Sequence, residues 1–296
     1  MASARPVTER TPAVRPDPEH GRGLDGALRV VAYVVLIAVA LAMFVPFLFS
    51  LATSLKTSVE ANRLTWATML WPANPTLDAY RTLGGTPIER WFFNSAFVAA
   101  IWIIGRAVID AMAGYAFARM RFPGRDLLFL AVISTLMVPP IVVIIPKYIL
   151  LNNWHMLDSY LALTVPFLAD AFGIFLMKQF FESIPAELED AARIDGASRY
   201  RMFAEIILPN AMPAVAALAI FSFQGSWNAF LEPLIYISRQ EYFTLPLGLA
   251  YFRRAYYTDW PVVMAIAVVT TAPLAVFFII FQRWFVEGAR RSGIKG

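Results

Sequence analysis

The chain has 296 residues, 59% of them hydrophobic and only 16% charged, with a mean hydropathy of +0.59; a single water-soluble core cannot hold that apolar mass, and its collection into long charge-poor blocks points to membrane spans. Its 25 basic and 21 acidic side chains leave a net +4 scattered between apolar blocks, which argues against a nucleic-acid-binding face. Without cysteine there is no disulfide, iron-sulfur or thiol chemistry, and the two histidines, His20 and His155, stand far apart outside any ligand motif, so no metal centre is expected.

Residues 1–28 are polar, carry prolines and glycines and contain no apolar run, which predicts a disordered tail ahead of a membrane domain at 29–296. From Val30 to Leu55 twenty-six residues pass without a charge, more than the ~20 needed to cross a hydrocarbon core. Pro46 is expected to end or bend this first span. Further blocks at about 91–118, 127–150, 159–177, 206–237 and 260–282 predict six spans in all, an all-α polytopic protein with both termini on one side. Counts of five or seven would require demoting or splitting a block.

Loop charge orients the chain, because Lys and Arg are enriched in short cytoplasmic loops. Segments 1–29, 119–126, 178–205 and 283–296 hold sixteen basic residues, whereas the opposite set holds eight: Lys56, Arg63, Arg81, Arg90, Lys147, Arg239, Arg253 and Arg254. Both termini are therefore expected in the cytoplasm. Trp91, Trp260 and Trp284 fall near span ends and read as interfacial anchors.

Within the blocks, Pro139, Pro140, Pro146, Pro166, Pro213 and Pro273, with Gly173 and Gly225, predict bent or interrupted helices, since each proline removes a backbone donor in a medium that cannot replace it. Arg106 and Asp110 stand at i,i+4 in the second block and read as an intramembrane ion pair, serving either a gate or helix packing. Asp170 and Glu232 are further acids in span regions. In a proton- or ion-coupled secondary carrier they would be the proton-bearing groups.

The polar stretch 184–215 is the most informative. Pro185 suits a helix start, Glu187 to Arg193 is rich in helix formers with acids leading, and Asp195-Gly196 reads as a turn before a second helical run from Ala197 to Ile207. Leu188, Ala191, Ala192 and Ile194 give the first helix a small apolar face, too dominated by alanine for lipid insertion. A helix-turn-helix that docks another protein is the reading.

The run Glu187-Leu-Glu-Asp-Ala-Ala-Arg-Ile-Asp-Gly-Ala197, followed by Phe203, Ile207, Leu208-Pro209 and Pro213, resembles the cytoplasmic coupling motif of binding-protein-dependent ATP-binding-cassette (ABC) importer permeases. Other stretches resemble the carbohydrate-uptake branch, and in particular the smaller membrane subunit of the maltose importer. They are Thr53 to Lys56, Trp71-Pro72, Asn74 to Tyr80, Asn94-Ser95, Tyr115-Ala-Phe-Ala-Arg119, Gly225-Ser-Trp-Asn228 with Phe230 and Pro233-Leu234, Leu245-Pro-Leu-Gly248, and the tail from Gln282 to Gly296. Together they cover about residues 30–296. The resemblance departs at Asp190, where the motif usually has glutamate, and at Arg106 and Asp110, in a span that is usually uncharged.

The resemblance implies the six-helix type I importer permease fold in the cytoplasmic membrane. It implies one half of a pore for a sugar or related polyol, a second homologous permease subunit, two ATPase subunits or domains and an extracytoplasmic solute-binding protein. Glu187, Asp190, Ala191, Ala192, Asp195 and Gly196 are the implied ATPase-coupling residues. The chain has no phosphate-binding G-x-x-x-x-G-K-[ST] loop. No bound cofactor is expected, and ATP and magnesium would sit at the partner ATPase, leaving this subunit without catalytic activity. Along the path, Asn94, Gln224, Ser226, Trp227 and Asn228 offer amide, hydroxyl and indole groups suited to a hydroxyl-rich solute. Trp227 suits either stacking on a sugar face or packing at a subunit seam. A secondary carrier would explain the intramembrane acids but not the docking loop, and a membrane enzyme would need a convergent catalytic set that the sequence does not offer.

Overall fold

The computed structural model describes residues 18–63, 65–69, 71–255 and 259–292, and the regular structure among them is helical. Helix α1, Pro18–Ser54, begins inside the stretch expected as tail and keeps Pro46 within an unbroken helix; residues 1–17 lie outside the described set. Its Leu28–Ser54 portion is apolar enough to span a bilayer. Residues up to Phe49 form a unit of their own, and the remaining description concerns the unit from Ser50 onward.

Helix α2, Ile88–Arg119, has 32 residues and is about 48 Å long at 1.5 Å per residue, ample for a hydrocarbon core of ~30 Å. The third block is a broken pair, α3 (Arg125–Ser134) and α4 (Pro140–Asn153), bent by 104° across the break. Pro139 explains the break. A residue before proline is pushed from helical toward extended backbone, and Val138 has φ −84° and ψ 118°. The fourth block combines α5 (Tyr160–Thr164) and α6 (Ala171–Ser183), separated by a 3-10 turn around Pro166. Next come α7 (Glu187–Ile194), a π-helical turn at Met202–Ile207, and α8 (Met212–Trp227), which starts with Pro213 in its first turn after a 78° bend. Helix α9, Trp260–Ser292, carries Pro273 without breaking. Among the described residues, four helices are long and apolar enough to cross a membrane, with Tyr160–Ser183 taken as one, and up to six if each bent pair counts as one span.

Hydrogen bonds fix the helix directions. From one end of α2 to the other, Asn94 meets Tyr160, Trp102 meets Leu163, Arg106 meets Phe167, Asp110 meets Asp170, and Arg119 meets Phe181 and Ile184. The sequence separation stays between 60 and 66 residues throughout, so α2 runs parallel to α5 and α6. A parallel neighbour requires the chain between them to return, and α3 with α4 makes that return as a broken span. Helix α8 runs the other way: Phe203 packs on Tyr115 near the end of α2, and Trp227 packs on Phe92 near its start. The start of α9 reverses again, with Trp227 donating to the Thr270 carbonyl and Phe223 stacked on Phe277.

Small residues let α2 and its parallel partner approach closely, as intramembrane packing demands in the absence of a hydrophobic drive. A Cβ on Gly114 would stand 2.7 Å from the Met177 Cβ, and one on Gly105 2.6 Å from Leu168 Cδ2. Two apolar clusters result. One gathers Trp91, Trp102, Trp227, Tyr236 and Ile266 toward the start of α2, and the other Tyr115, Met177, Phe181, Ile207 and Leu218 toward its end.

Trp91 corrects an expectation. It is not an interfacial anchor but a buried core residue, donating to the Gln240 carbonyl at 3.0 Å, and Gly248 leaves the space its ring fills. Trp260 is 45% exposed, while the side chain of Trp284 lies outside the described set.

Candidate functional site

Helix α7 forms for local reasons. Glu187, Glu189 and Asp190 occupy its first turn and Arg193 its last, each charge placed to complement the helix dipole. Its end is a Schellman turn: the Gly196 N–H reaches the Arg193 carbonyl, the Ala197 N–H reaches the Ala192 carbonyl at 3.0 Å, and Gly196 takes φ +78°. Ser198 then caps the next turn by accepting from the Arg201 N–H. The predicted helix, turn and second helical run are all present, the last beginning at Arg199.

The four apolar positions of α7 do not share one face. Ala192 is buried together with Glu189, whereas Leu188, Ala191 and Ile194 face outward, Ile194 at 87% exposure. Glu187, Asp190, Asp195 and Gly196 are exposed beside them, and Tyr200 extends the surface. Of the six residues expected at a coupling surface, five are therefore exposed together, and Ala192 belongs to the packed side. The tip is thus open, mixed apolar and acidic, and mounted on a rigid turn.

The buried side of α7 was not singled out by its sequence. Glu189 forms an ion pair with Arg119, the last residue of α2, with Arg119 Nε 3.2 Å from Glu189 Oε1. The same guanidinium donates through Nη2 to the Phe181 carbonyl at 2.6 Å and to the Ile184 carbonyl. One turn earlier on α2, Tyr115 packs against Phe181 and Phe203, which also pack on each other. Two sequence stretches noted separately, Tyr115 to Arg119 and Glu187 to Phe203, thus meet at a single junction. The available signal was a glutamate three residues before an alanine on the inward side of a short helix.

In mid-span the expected Arg106–Asp110 pair is replaced by a three-residue arrangement. Arg106 Nη1 lies 3.7 Å from Asp170 Oδ2, while its Nε donates to the Phe167 carbonyl and its guanidinium lies over the Trp102 ring. Asp110 is fully buried, and its Oδ1 accepts the backbone N–H of Asp170 at 3.0 Å. That N–H belongs to the N-cap residue of α6. The physical reason is the interruption at Pro166: a helix restarting inside a span has orphan N–H groups that lipid cannot satisfy, and a carboxylate at a helix N-terminus also suits its dipole. Gly173 is required here because a Cβ would overlap the Asp110 carboxylate.

The expected path residues divide. Asn94 is fully buried, with its amide donating to the Glu241 and Phe243 carbonyls and accepting from the Tyr160 hydroxyl at 2.6 Å, so it ties loops together. Trp227 is buried between Phe92 and Phe223 and spends its N–H on the Thr270 carbonyl, so it packs inside this chain. Ser226 is also buried, lining a small cavity with Trp102, Thr244 and Glu232. Gln224 and Asn228 are exposed on the same side of α8, near Gly225. Among the described residues, no group of three or more His, Asp or Glu is placed to hold a metal ion.

Comparison with known proteins bears on this geometry. Residues 110–291 match the family model described as binding-protein-dependent transport system inner membrane component. The arabinooligosaccharides transport system permease protein AraQ of Halalkalibacterium halodurans is 33% identical over 267 residues, 90% of this chain and 94% of that one. The sn-glycerol-3-phosphate transport system permease protein UgpE of Brucella abortus is 32% identical over 271 residues, 88% of this chain and 95% of the other. Among solved structures, a chain of a bacterial ABC transporter involved in the import of the acidic polysaccharide alginate superimposes with a TM-score of 0.79 at 22% identity, covering 93% of this chain and all of that one.

Proposed function

The chain belongs to the family of binding-protein-dependent transport system inner membrane components, and from that premise we propose that its α7 tip is the seat of a partner ATPase while its spans form half of a passage for a sugar or related polyol. It is a multi-pass, non-catalytic permease subunit of an ABC importer, working with a separate ATPase and a solute-binding protein. A second homologous permease subunit, two ATPase subunits or domains, and ATP with magnesium bound at those ATPases complete the proposed assembly. The motif stretches along the chain also support a likeness to the smaller membrane subunit of the maltose importer.

One observation carries the docking assignment: α7 is sharply two-sided, with Glu187, Asp190, Ala191, Ile194, Asp195 and Gly196 open and its other side fastened to the ends of α2 and α6. A surface on such a mount moves only if the spans move with it, which is what conversion of nucleotide-driven closure into rigid-body displacement requires. The carboxylate of Asp190 keeps the charge of the glutamate usual at that place, on a side chain one methylene shorter.

The docking end faces the cytoplasm in this reading, supported by the sixteen-to-eight division of basic residues. The sugar or polyol class is supported by the names of the relatives. Gln224 and Asn228 remain the path residues of choice because their amides stay exposed on an otherwise apolar helix. Ion-coupled transport through Asp170 is disfavoured because Arg106 already compensates that carboxylate.

The test is co-purification of the chain with an ATPase and a second permease, followed by uptake in proteoliposomes. ATP-dependent uptake of a sugar or polyol, lost in Gly196→Val, is the expected outcome. Uptake driven by an ion gradient without ATP would overturn the reading.

A further inference from the structure

The residue that ends α2, Arg119, touches two other elements: it donates to the Phe181 and Ile184 carbonyls that close α6 and forms an ion pair, without a hydrogen bond, with the Glu189 carboxylate of α7. Its side chain is 14% exposed and that of Glu189 9%, so this is a largely desolvated pair and not a surface ion pair whose value solvent would cancel. A guanidinium is suited to the place because its planar fork presents several donors at fixed angles, which a lysine ammonium does not. Glu189 stands on the inward side of α7 with Ala192, away from the exposed tip. The Tyr115, Phe181 and Phe203 rings pack beneath it and fill the angle between α2, α6 and the π-helical turn.

Chain connectivity ties α7 to α6 through only Ile184, Pro185 and Ala186. A short link of that kind transmits a pull along α6 but leaves α7 free to pivot about it, and covalent connection to α2 is far away in sequence. The packing of Ala192 limits that freedom, and the Arg119–Glu189 contact is what ties α7 to α2. We propose that Arg119 and Glu189 are positioning residues that make α7, α6 and α2 one mechanical body, so that displacement of the docking tip is delivered to two parallel spans at once. This rests on the reading of the α7 tip as the ATPase seat. The pair itself touches neither nucleotide nor solute.

The experiment uses the complete complex in proteoliposomes, with ATP hydrolysis and solute uptake measured on the same preparation. Glu189→Gln keeps the side-chain shape and removes the charge, and it is expected to retain the ATPase and its hydrolysis while transport per ATP falls about tenfold, the middle of the range for coupling between sites. Glu189→Asp, which restores the charge on a shorter arm, is expected to recover at least part of that ratio, and Arg119→Lys to fall between the two because it loses the fork. A structural role alone would lower the amount of complex without changing transport per ATP.

Wild-type transport per ATP in a Glu189→Gln complex overturns the proposal. So does loss of the ATPase from a Glu189→Gln permease whose thermal melt is unchanged, because that would place Glu189 on the docking surface. If Arg119→Lys fails to assemble, Glu189→Gln and Glu189→Asp decide alone. The docking reading is tested separately by Gly196→Val and Ile194→Asp. Retention of the ATPase by both would sink that reading, whereas loss of the ATPase there with normal coupling in Glu189→Gln would sink only the joint.

Discussion

Helix α2 grips the two ends of α6 with opposite charges. At the N-terminal end the Asp110 carboxylate accepts the backbone N–H of Asp170, and at the C-terminal end the Arg119 guanidinium donates to the Phe181 and Ile184 carbonyls. Both signs match the dipole of α6, yet the two grips differ in what lies beyond them. Asp110 is buried against the Asp170 N–H and the space that Gly173 leaves, whereas Arg119 reaches Glu189 on the buried side of α7, behind its exposed tip. The first grip makes a broken span tolerable, and the second connects the repaired span to the helix proposed to seat the ATPase. Charge inside this protein therefore has two separable uses.

The largest expected effect comes from breaking the inner grip. Asp110→Leu leaves the Asp170 N–H without its acceptor inside the span and is expected to cost about 3 kcal/mol, the upper end for orphaning a buried donor. Asp110→Asn keeps an acceptor oxygen and is expected to lose less than half as much. Thermal melts of the purified permease in detergent read both, and equal losses would show that the acceptor is not what matters.

Next is Gly173→Ala, which drives a Cβ into the Asp110 carboxylate and is expected to cost about 1–3 kcal/mol as an overpacking change. It should push α6 from α2 at the inner grip alone, so transport per ATP in the surviving complex should stay near wild type. Gly196→Ala has open space around the new Cβ but forces a left-handed φ of +78°, for about 1–2 kcal/mol. Its damage should appear in ATPase retention. Smallest is Arg193→Ala: the Arg193–Asp190 pair is 64% exposed on both sides and is expected to contribute no more than about 1 kcal/mol to stability. A loss of several kcal/mol there would mean that the outer surface of α7 is not an open one.

The comparison also shows what the residue pattern could and could not carry. Spans were legible because charge-free blocks of sufficient length have few alternatives, and Pro139-Pro140 and Pro213 foretold the breaks at 104° and 78°. Pro46 and Pro273 foretold bends of the same kind but stay within continuous helices. The tip of α7 was legible in Asp195-Gly196, since only a residue tolerant of positive φ closes that Schellman turn. Arg106 and Asp110 misled because i,i+4 spacing sees a single helix, and the competing partner, Asp170, arrives only when α6 packs in parallel sixty residues later. Arg119 and Glu189 were visible as motif letters without a shared role, as their meeting depends on the same packing. Asn94 and Trp227 carried polar groups that suited a solute, and the fold spent those groups on carbonyls instead.

The most direct test of the central claim exploits the absence of cysteine from the chain. A single cysteine placed at Ile194, which is 87% exposed on the α7 tip, can be cross-linked in the assembled complex and compared with one at Leu77, exposed near the opposite end of the spans. A permease whose tip seats the ATPase yields a cross-link to that subunit from position 194, changing with nucleotide, and none from position 77. A complex that cross-links the ATPase from position 77, or never from 194, contradicts the account.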